Sequence, residues 1–384
     1  MYKQLREQDP IHLAQTKEYI VTRYDDVKEI LKSKSFGTGN RLEWLKRGID
    51  YFENKDDDFT AIYEAMNSFI LMLNPPEHQS IRTFINRSWN DHDVDLVIEK
   101  NILKTLSSIT LDEIDVVKDF AQPLPVLTIC DILGIDVQDH HYLKELGITM
   151  TKSLDLYISY KEMVMVNDAA KKFVDFFKVQ IANKTITPDN GLLSKLIQDN
   201  KELNAGLSER QLISIGIFLF IAGQETLSGL ISNGIYDLLK HPEEFKKLKD
   251  DPDLIVSSIE EILRFDSTVQ LLGRIAKEDY KIRGIIIPAG SAVTLVIGSA
   301  NRDEEVFSNP NKFQIERSPN KHLSFGSGIH FCLGDWLARR QAQLGISAFS
   351  KRFPDAILLS RKVNYYKNLA IRSLNSLSVK TAQV

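Results

Sequence analysis

Phe325-Gly326-Ser327-Gly328-Ile329-His330-Phe331-Cys332-Leu333-Gly334 holds one cysteine in a glycine-punctuated loop, and helix-forming sequence follows at once in Trp336-Leu337-Ala338-Arg339-Arg340. Gly326, Gly328 and Gly334 permit backbone angles that a residue with Cβ resists. Such a loop can bring its backbone close to a large flat ligand and hold a sulfur at its centre. Backbone N–H groups near a helix start favour an anion, which would keep Cys332 as a thiolate. A free cysteine has a blander reading as a small buried hydrophobe. The Phe, three Gly, His and Cys at fixed spacing favour the ligand-holding one.

The pattern Phe-Gly-x-Gly-x-His-x-Cys-x-Gly resembles the haem-binding loop of the cytochrome P450 monooxygenases. The resemblance implies haem b bound through Cys332, with Phe325, Gly326, His330 and Gly334 around it. A thiolate in that place pushes electron density toward O–O cleavage. It also implies a fold that is mainly α with minor antiparallel β, built on a long central helix over the haem.

The rest of the chain is compatible with that expectation. Its 384 residues contain no glycine/serine-rich linker, no proline-rich spacer and no repeat, so residues 1–384 read as a single catalytic domain. Hydrophobic content of 43% and charged content of 26% are those of an ordinary globular protein. A net charge of -4 without a Lys/Arg cluster argues against nucleic-acid binding. The two cysteines, Cys130 and Cys332, form neither a disulfide framework nor a zinc ligand set, which fits a reducing cytosol. The N-terminal stretch lacks the apolar core of a signal peptide. The most apolar run, Leu212 to Gly223, is short of the about 20 residues that span a bilayer. The expectation is a cytoplasmic protein with no membrane anchor, of the soluble bacterial type.

Hydrophobic spacing predicts a strand over Tyr19 to Thr22 and helices over Tyr24 to Lys32, Val94 to Ser108, Val116 to Leu133, Met165 to Ile181 and Asp253 to Phe265. From Phe36 to Asn74 the pattern is broken, and Asn54 to Asp58 reads as a solvated loop. Pro75-Pro76 precedes a good helix start at Glu77. The dominant segment is Leu207 to Leu239, capped by Ser208 and Gln211 and ended by His241-Pro242. It is apolar on most sides, as a central buried helix should be. Ile285 to Val296 looks like strands around a turn, and a second small sheet is expected near Ala356 to Val379.

Inside the long helix, Ala222-Gly223-Gln224-Glu225-Thr226 sets an acid and a hydroxyl among apolar residues, which is costly unless both are satisfied. Taken alone, Thr226 bonds back to its own helix and Glu225 joins an ion pair. The resemblance instead makes Ala222 and Gly223 an oxygen-side groove, with Glu225 and Thr226 organising waters that deliver protons. Glu261 and Arg264 lie three apart on one helix face, in itself an everyday surface pair. The family's pattern, with Arg317 further on, makes them a buried structural triad in which removing one member strands a charge, at about 3–5 kcal/mol. His78 and Arg82, four apart on a helix, match the family's propionate-binding pair, joined by Arg274 and His330. Each alone reads more readily as an ordinary surface or core residue, and it is the four together at family positions that imply haem. By resemblance the substrate pocket draws on Arg41 to Leu73, Phe218, Ala222, Leu271, Leu272 and Asn368 to Ile371, including Leu369 and Ala370. These are mostly apolar, as small-molecule pockets are.

The implied activity is insertion of one oxygen atom from O2 into a mostly apolar small molecule, by hydroxylation or epoxidation, such as tailoring of a polyketide. Two cysteines cannot ligate an iron–sulfur cluster as well, so electrons from NAD(P)H would arrive through a separate ferredoxin and ferredoxin reductase. A peroxide-driven relative typically carries Arg-Pro where this chain has Glu225-Thr226. A non-catalytic partner protein of the same fold tends to lose the cysteine loop or the Glu-x-x-Arg pair, and both are present here.

Overall fold

A computed structural model describes residues 2–39, 58–89, 94–136, 138, 140–155 and 158–381. The segment at residues 41–57, part of the expected pocket and of the expected solvated loop, lies outside the described residues. The chain gathers into two compact units, one of Met1–Gly37, Ile102–Leu124 and Thr226–Val384, the other of Thr38–Asn101 and Pro125–Glu225.

The first unit contains the sheets. Five strands run in the order Ile11–Leu13, Tyr19–Val21, Ala292–Val296, Leu271–Ala276, Phe36–Gly37. Their ladders are antiparallel except for one: Tyr19–Val21 lies parallel to Ala292–Val296, with Tyr19 opposite Val293. That pairing joins segments far apart in sequence, so no hairpin signal could announce it. Helix Tyr24–Lys32 has Asp25 and Asp26 in its first turn and Lys32 in its last, as the helix dipole favours. Its Val27, Ile30 and Leu31 share a core with Phe36, Val293, Leu295 and Leu323. A three-stranded sheet pairs Ser378–Lys380 with both Ile357–Leu358 and Glu113–Asp115. The last of these strands escaped the sequence reading, because only Ile114 of its three residues is buried. The expected helix over Val116 to Leu133 divides into a π-turn, Val117–Ala121, and an α-helix, Pro123–Leu133. Pro123 occupies the first helical position, where its missing N–H costs nothing.

The second unit is helical. Tyr160–Ile186 begins at a capping box made by Ser159 and Glu162. Its Phe177 lies beneath Gly216, where an added Cβ would come within 2.7 Å of the ring. The expected broken stretch before Asn74 contains the helix Thr60–Met66.

Helix Glu209–Lys240 contributes its first half to this unit and its second half to the other. Ser208 and Gln211 cap it reciprocally, through Gln211 N to Ser208 Oγ at 3.3 Å and Ser208 N to Gln211 Oε1 at 3.0 Å. Among the described residues it is the one helix long and apolar enough to cross a membrane, but 83% of that apolar stretch is buried in the protein.

Candidate functional site

The cysteine loop is anchored before it begins. Leu323 N donates to Asn301 Oδ1 at 2.7 Å, and Ser324 Oγ donates to the Leu263 carbonyl at 2.6 Å. The Tyr24 hydroxyl donates to the Lys321 carbonyl at 2.6 Å. Cys332 N then donates to the Phe325 carbonyl at 2.9 Å and closes the loop on itself. Helix Asp335–Arg352 follows, with Gly334 as its N-cap.

The three glycines have three different reasons. Gly326 and Gly328 adopt φ of +72° and +74°, angles that L side chains resist. Gly328 also packs on the end of helix Tyr24–Lys32, where a Cβ would stand 2.5 Å from the Leu31 carbonyl oxygen. A neighbouring helix, not a ligand, therefore demands that glycine. Gly334 corrects the expectation from sequence: its φ of -103° suits any residue. A Cβ there would meet nothing within 4 Å, so its contribution is open space two residues from the sulfur. Gly328→Ala is expected to destabilise the protein by at least about 1–2 kcal/mol from the backbone alone, with more from the clash. Gly334→Ala should leave the melting temperature unchanged and weaken haem uptake. Thermal melts and haem titrations of the two variants check this contrast.

Arg274 lies on strand Leu271–Ala276 and is 8% exposed. Its Nη1 donates to the Gly273 carbonyl at 2.8 Å. Among the described residues no carboxylate lies within ion-pair distance of it. Burial alone lowers its pKa, to about 10, so it remains a cation at neutral pH. A buried guanidinium without a counter-charge calls for an anionic ligand. Gly273 beside it is also open, with nothing within 4 Å of a built Cβ. The donor set thus fits haem b, whose two propionates are anions and whose flat ring needs such uncrowded backbone. His330 is partly exposed within the loop. His78 and Arg82 occupy successive turns of helix Glu77–Ser88 in the other unit. His78 is buried, and burial, aided by the charge of Arg82, pushes its pKa down.

On the long helix every residue from Leu212 to Leu238 is buried except Ala222, Gly223 and Thr226. These three share one face, and Ala222 is the most open. Gly223 is less of a gap than expected, since a Cβ there would touch the Ile129 side chain at 3.4 Å. Glu225 is 6% exposed. Gln224 is tied into the helical unit, its Nε2 donating to the Lys144 carbonyl at 3.0 Å.

Of the expected pocket residues, Phe218 is buried against Phe69, with ring centroids 5.3 Å apart. Leu271 and Leu272 are half-buried. Ala370 is buried and accepts a hydrogen bond from Gln270 N at 2.8 Å, beside the start of the Leu271 strand. Leu369 is 57% exposed.

Glu261, Arg264 and Arg317 converge. Arg264 Nε and Nη2 each reach a different Glu261 oxygen at 2.8 Å, and Arg317 Nε reaches Oε2 at 2.9 Å. The Arg264 and Glu261 side chains are both fully buried.

The sequence model described as Cytochrome P450 matches residues 152–354. The biotin biosynthesis cytochrome P450 of Bacillus subtilis (strain 168) is 33% identical, over 98% of this chain and 94% of the relative. The polyketide biosynthesis cytochrome P450 PksS of the same organism is 32% identical, over 97% and 93%. Among solved structures, P450BioI in complex with hexadec-9Z-enoic acid ligated acyl carrier protein superposes with a TM-score of 0.90 at 32% identity, covering 99% of this chain and 97% of that one. CYP109E1 from Bacillus megaterium in complex with testosterone superposes with a TM-score of 0.87 at 30% identity, covering 99% and 96%. The chain belongs to the cytochrome P450 family. It is a haem-thiolate monooxygenase acting on a small molecule, with haem b as cofactor and electrons supplied from NAD(P)H through redox proteins. Haem there supplies the redox chemistry by which O2 is split and one atom is inserted into the substrate.

Proposed function

We propose that residues 1–384 work as one catalytic domain in which Cys332 is the iron ligand, Phe325 and Gly326 shape the loop around it, and Gly334 leaves room beside it for the cofactor. Arg274, His330, His78 and Arg82 hold the propionates. Ala222 and Gly223 leave room on the oxygen side, while Glu225 and Thr226 position the water that hands over protons. The observation that carries this reading is the break in burial at Ala222, Gly223 and Thr226, on one face of a helix otherwise buried from Leu212 to Leu238. A hydroxyl at such an opening meets water, and a buried acid next to it can resupply the proton.

The substrate we infer is a mostly apolar secondary metabolite of polyketide type. Two likenesses support this: PksS is named for polyketide biosynthesis, and P450BioI was solved on an acyl carrier protein. Electron delivery is assigned to a ferredoxin and its reductase, and the location to the cytoplasm.

Thr226→Ala tests the site. Haem loading and substrate binding should stay near normal. Removing a positioned proton donor costs about 10²–10⁴-fold where the step depends on it, so electrons would leak to peroxide. The measurement is product formed per NAD(P)H consumed, with a reconstituted redox chain and a substrate that shifts the spin state. Full coupling with no extra peroxide would sink the assignment. A substrate analogue without hydroxyls near the oxidised carbon removes the one bypass, a proton path through the substrate itself.

A further inference from the structure

Glu260 stands next to Glu261 on helix Ile255–Phe265 but serves a different set of partners. Its Oε1 accepts from Arg339 Nε at 2.7 Å. Its Oε2 accepts from Arg339 Nη2 at 3.2 Å and pairs with His322 Nε2 at 3.0 Å. His322 Nδ1 accepts from Ser324 N at 3.2 Å, which leaves the proton on Nε2, aimed at Glu260. His322 leads into the cysteine loop, and Arg339 lies on the helix that leaves it. One carboxylate therefore ties both ends of the loop to a third element.

Between those two ends sits Phe325. The Arg339 guanidinium lies over its ring at 4.4 Å from the centroid, and the His322 ring flanks it at 5.9 Å. The Phe325 carbonyl in turn receives the Cys332 N–H. Arg339 is steadied from its own helix by Asp335 Oδ2, at 2.5 Å from Nη1. Burial by itself would raise the Glu260 pKa, but hydrogen bonds from His322 and Arg339, with the charge of Arg339, hold it at about 2. The carboxylate is thus ionised throughout the neutral range.

We propose that Glu260 is a positioning residue for Cys332: it clamps His322 and Arg339 about Phe325, and Phe325 fixes the backbone that presents the sulfur. The inference rests on Cys332 being the iron ligand, as proposed above. Glu260→Gln keeps the shape and gives up the charge that grips Arg339. A charge-assisted hydrogen bond of this kind is worth about a tenfold change in an equilibrium.

The test uses the haem-loaded full chain, reduced and bound with carbon monoxide. Its readout is the ratio of the long-wavelength Soret band of a thiolate-ligated haem to the shorter-wavelength band of one that has lost the thiolate. Glu260→Gln should shift that ratio about tenfold toward the short-wavelength form, at a temperature where far-ultraviolet circular dichroism shows the chain fully folded. A lowered melting temperature with the wild-type ratio would overturn the proposal, because a merely structural contact predicts that result. Should the Gln variant fail to accumulate with haem, Glu260→Asp replaces it. That variant keeps the charge and shortens the reach, so it should shift the ratio in the same direction by a smaller factor; a wild-type ratio again overturns the clamp. A long-wavelength band missing from the unmutated protein is a different failure, since it removes Cys332 as ligand and the clamp with it.

Discussion

Replacing Cys332 by serine is expected to abolish the long-wavelength Soret band of the reduced, carbon-monoxide-bound protein. Of the two cysteines, Cys130 is fully buried in helix Pro123–Leu133, whereas Cys332 is partly open in a loop held by backbone and side-chain hydrogen bonds. A serine hydroxyl is far less acidic than a thiol, so it does not furnish the anionic, polarizable ligand that produces this band. The loop should survive, since the Cys332 N–H to Phe325 carbonyl bond and the positive φ angles of Gly326 and Gly328 are backbone features. The variant should therefore melt near the wild type and bind less haem, with its carbon-monoxide band at shorter wavelength. An unchanged spectrum would rule out Cys332 as the ligand. Cys130→Ser serves as the control and should keep the long-wavelength band.

The loop was legible because its residue types and spacing serve a local purpose, and the long helix because 32 mostly apolar residues with a capping box leave few alternatives. What sequence hid was long-range. Glu260, His322 and Arg339 carry no shared pattern, being ordinary polar residues until the fold gathers them. The same holds for Asp266, whose Oδ1 accepts from Arg372 Nε at 2.6 Å across more than a hundred residues. Gly328 was correctly singled out, but its neighbour, the Leu31 carbonyl, is invisible from the loop alone. Gly334 looked like a conformational requirement, but its φ of -103° is ordinary and a Cβ there would meet nothing within 4 Å. The strand Glu113–Asp115 shows the limit of periodicity, since a three-residue edge with one buried side chain gives no alternation to detect.

Glu261→Gln is expected to be the most destabilising single change in the triad, more so than Arg264→Ala. The sequence alone suggests that deleting Arg264 would leave Glu261 buried and unpaired. The hydrogen bonds correct this. Glu261 would still receive Arg317 Nε at 2.9 Å, Asn320 Nδ2 at 3.1 Å and Gln314 N at 2.9 Å. What Arg264→Ala strands is a pair of carbonyls, those of Asn301 and Pro310, which its Nη1 now satisfies at 3.0 and 2.9 Å, while the Lys312 carbonyl keeps Arg317 Nη2 at 3.1 Å. Some of these can be rehydrated if water enters the space the side chain vacates. Removing the charge of Glu261 has no such remedy, because it leaves two guanidiniums, one fully buried and one 6% exposed, facing each other without a counter-ion. Breaking a buried pair costs about 3–5 kcal/mol, and here one substitution breaks two. Glu261→Gln should therefore yield little soluble, haem-loaded protein, and what accumulates should unfold at lower denaturant than Arg264→Ala. The check is a denaturant titration of both variants followed by circular dichroism and haem absorbance together. If Arg264→Ala proves the weaker protein, the carbonyl network outweighs the charge balance, and the triad acts chiefly as a donor hub for the segment from Asn301 to Lys312.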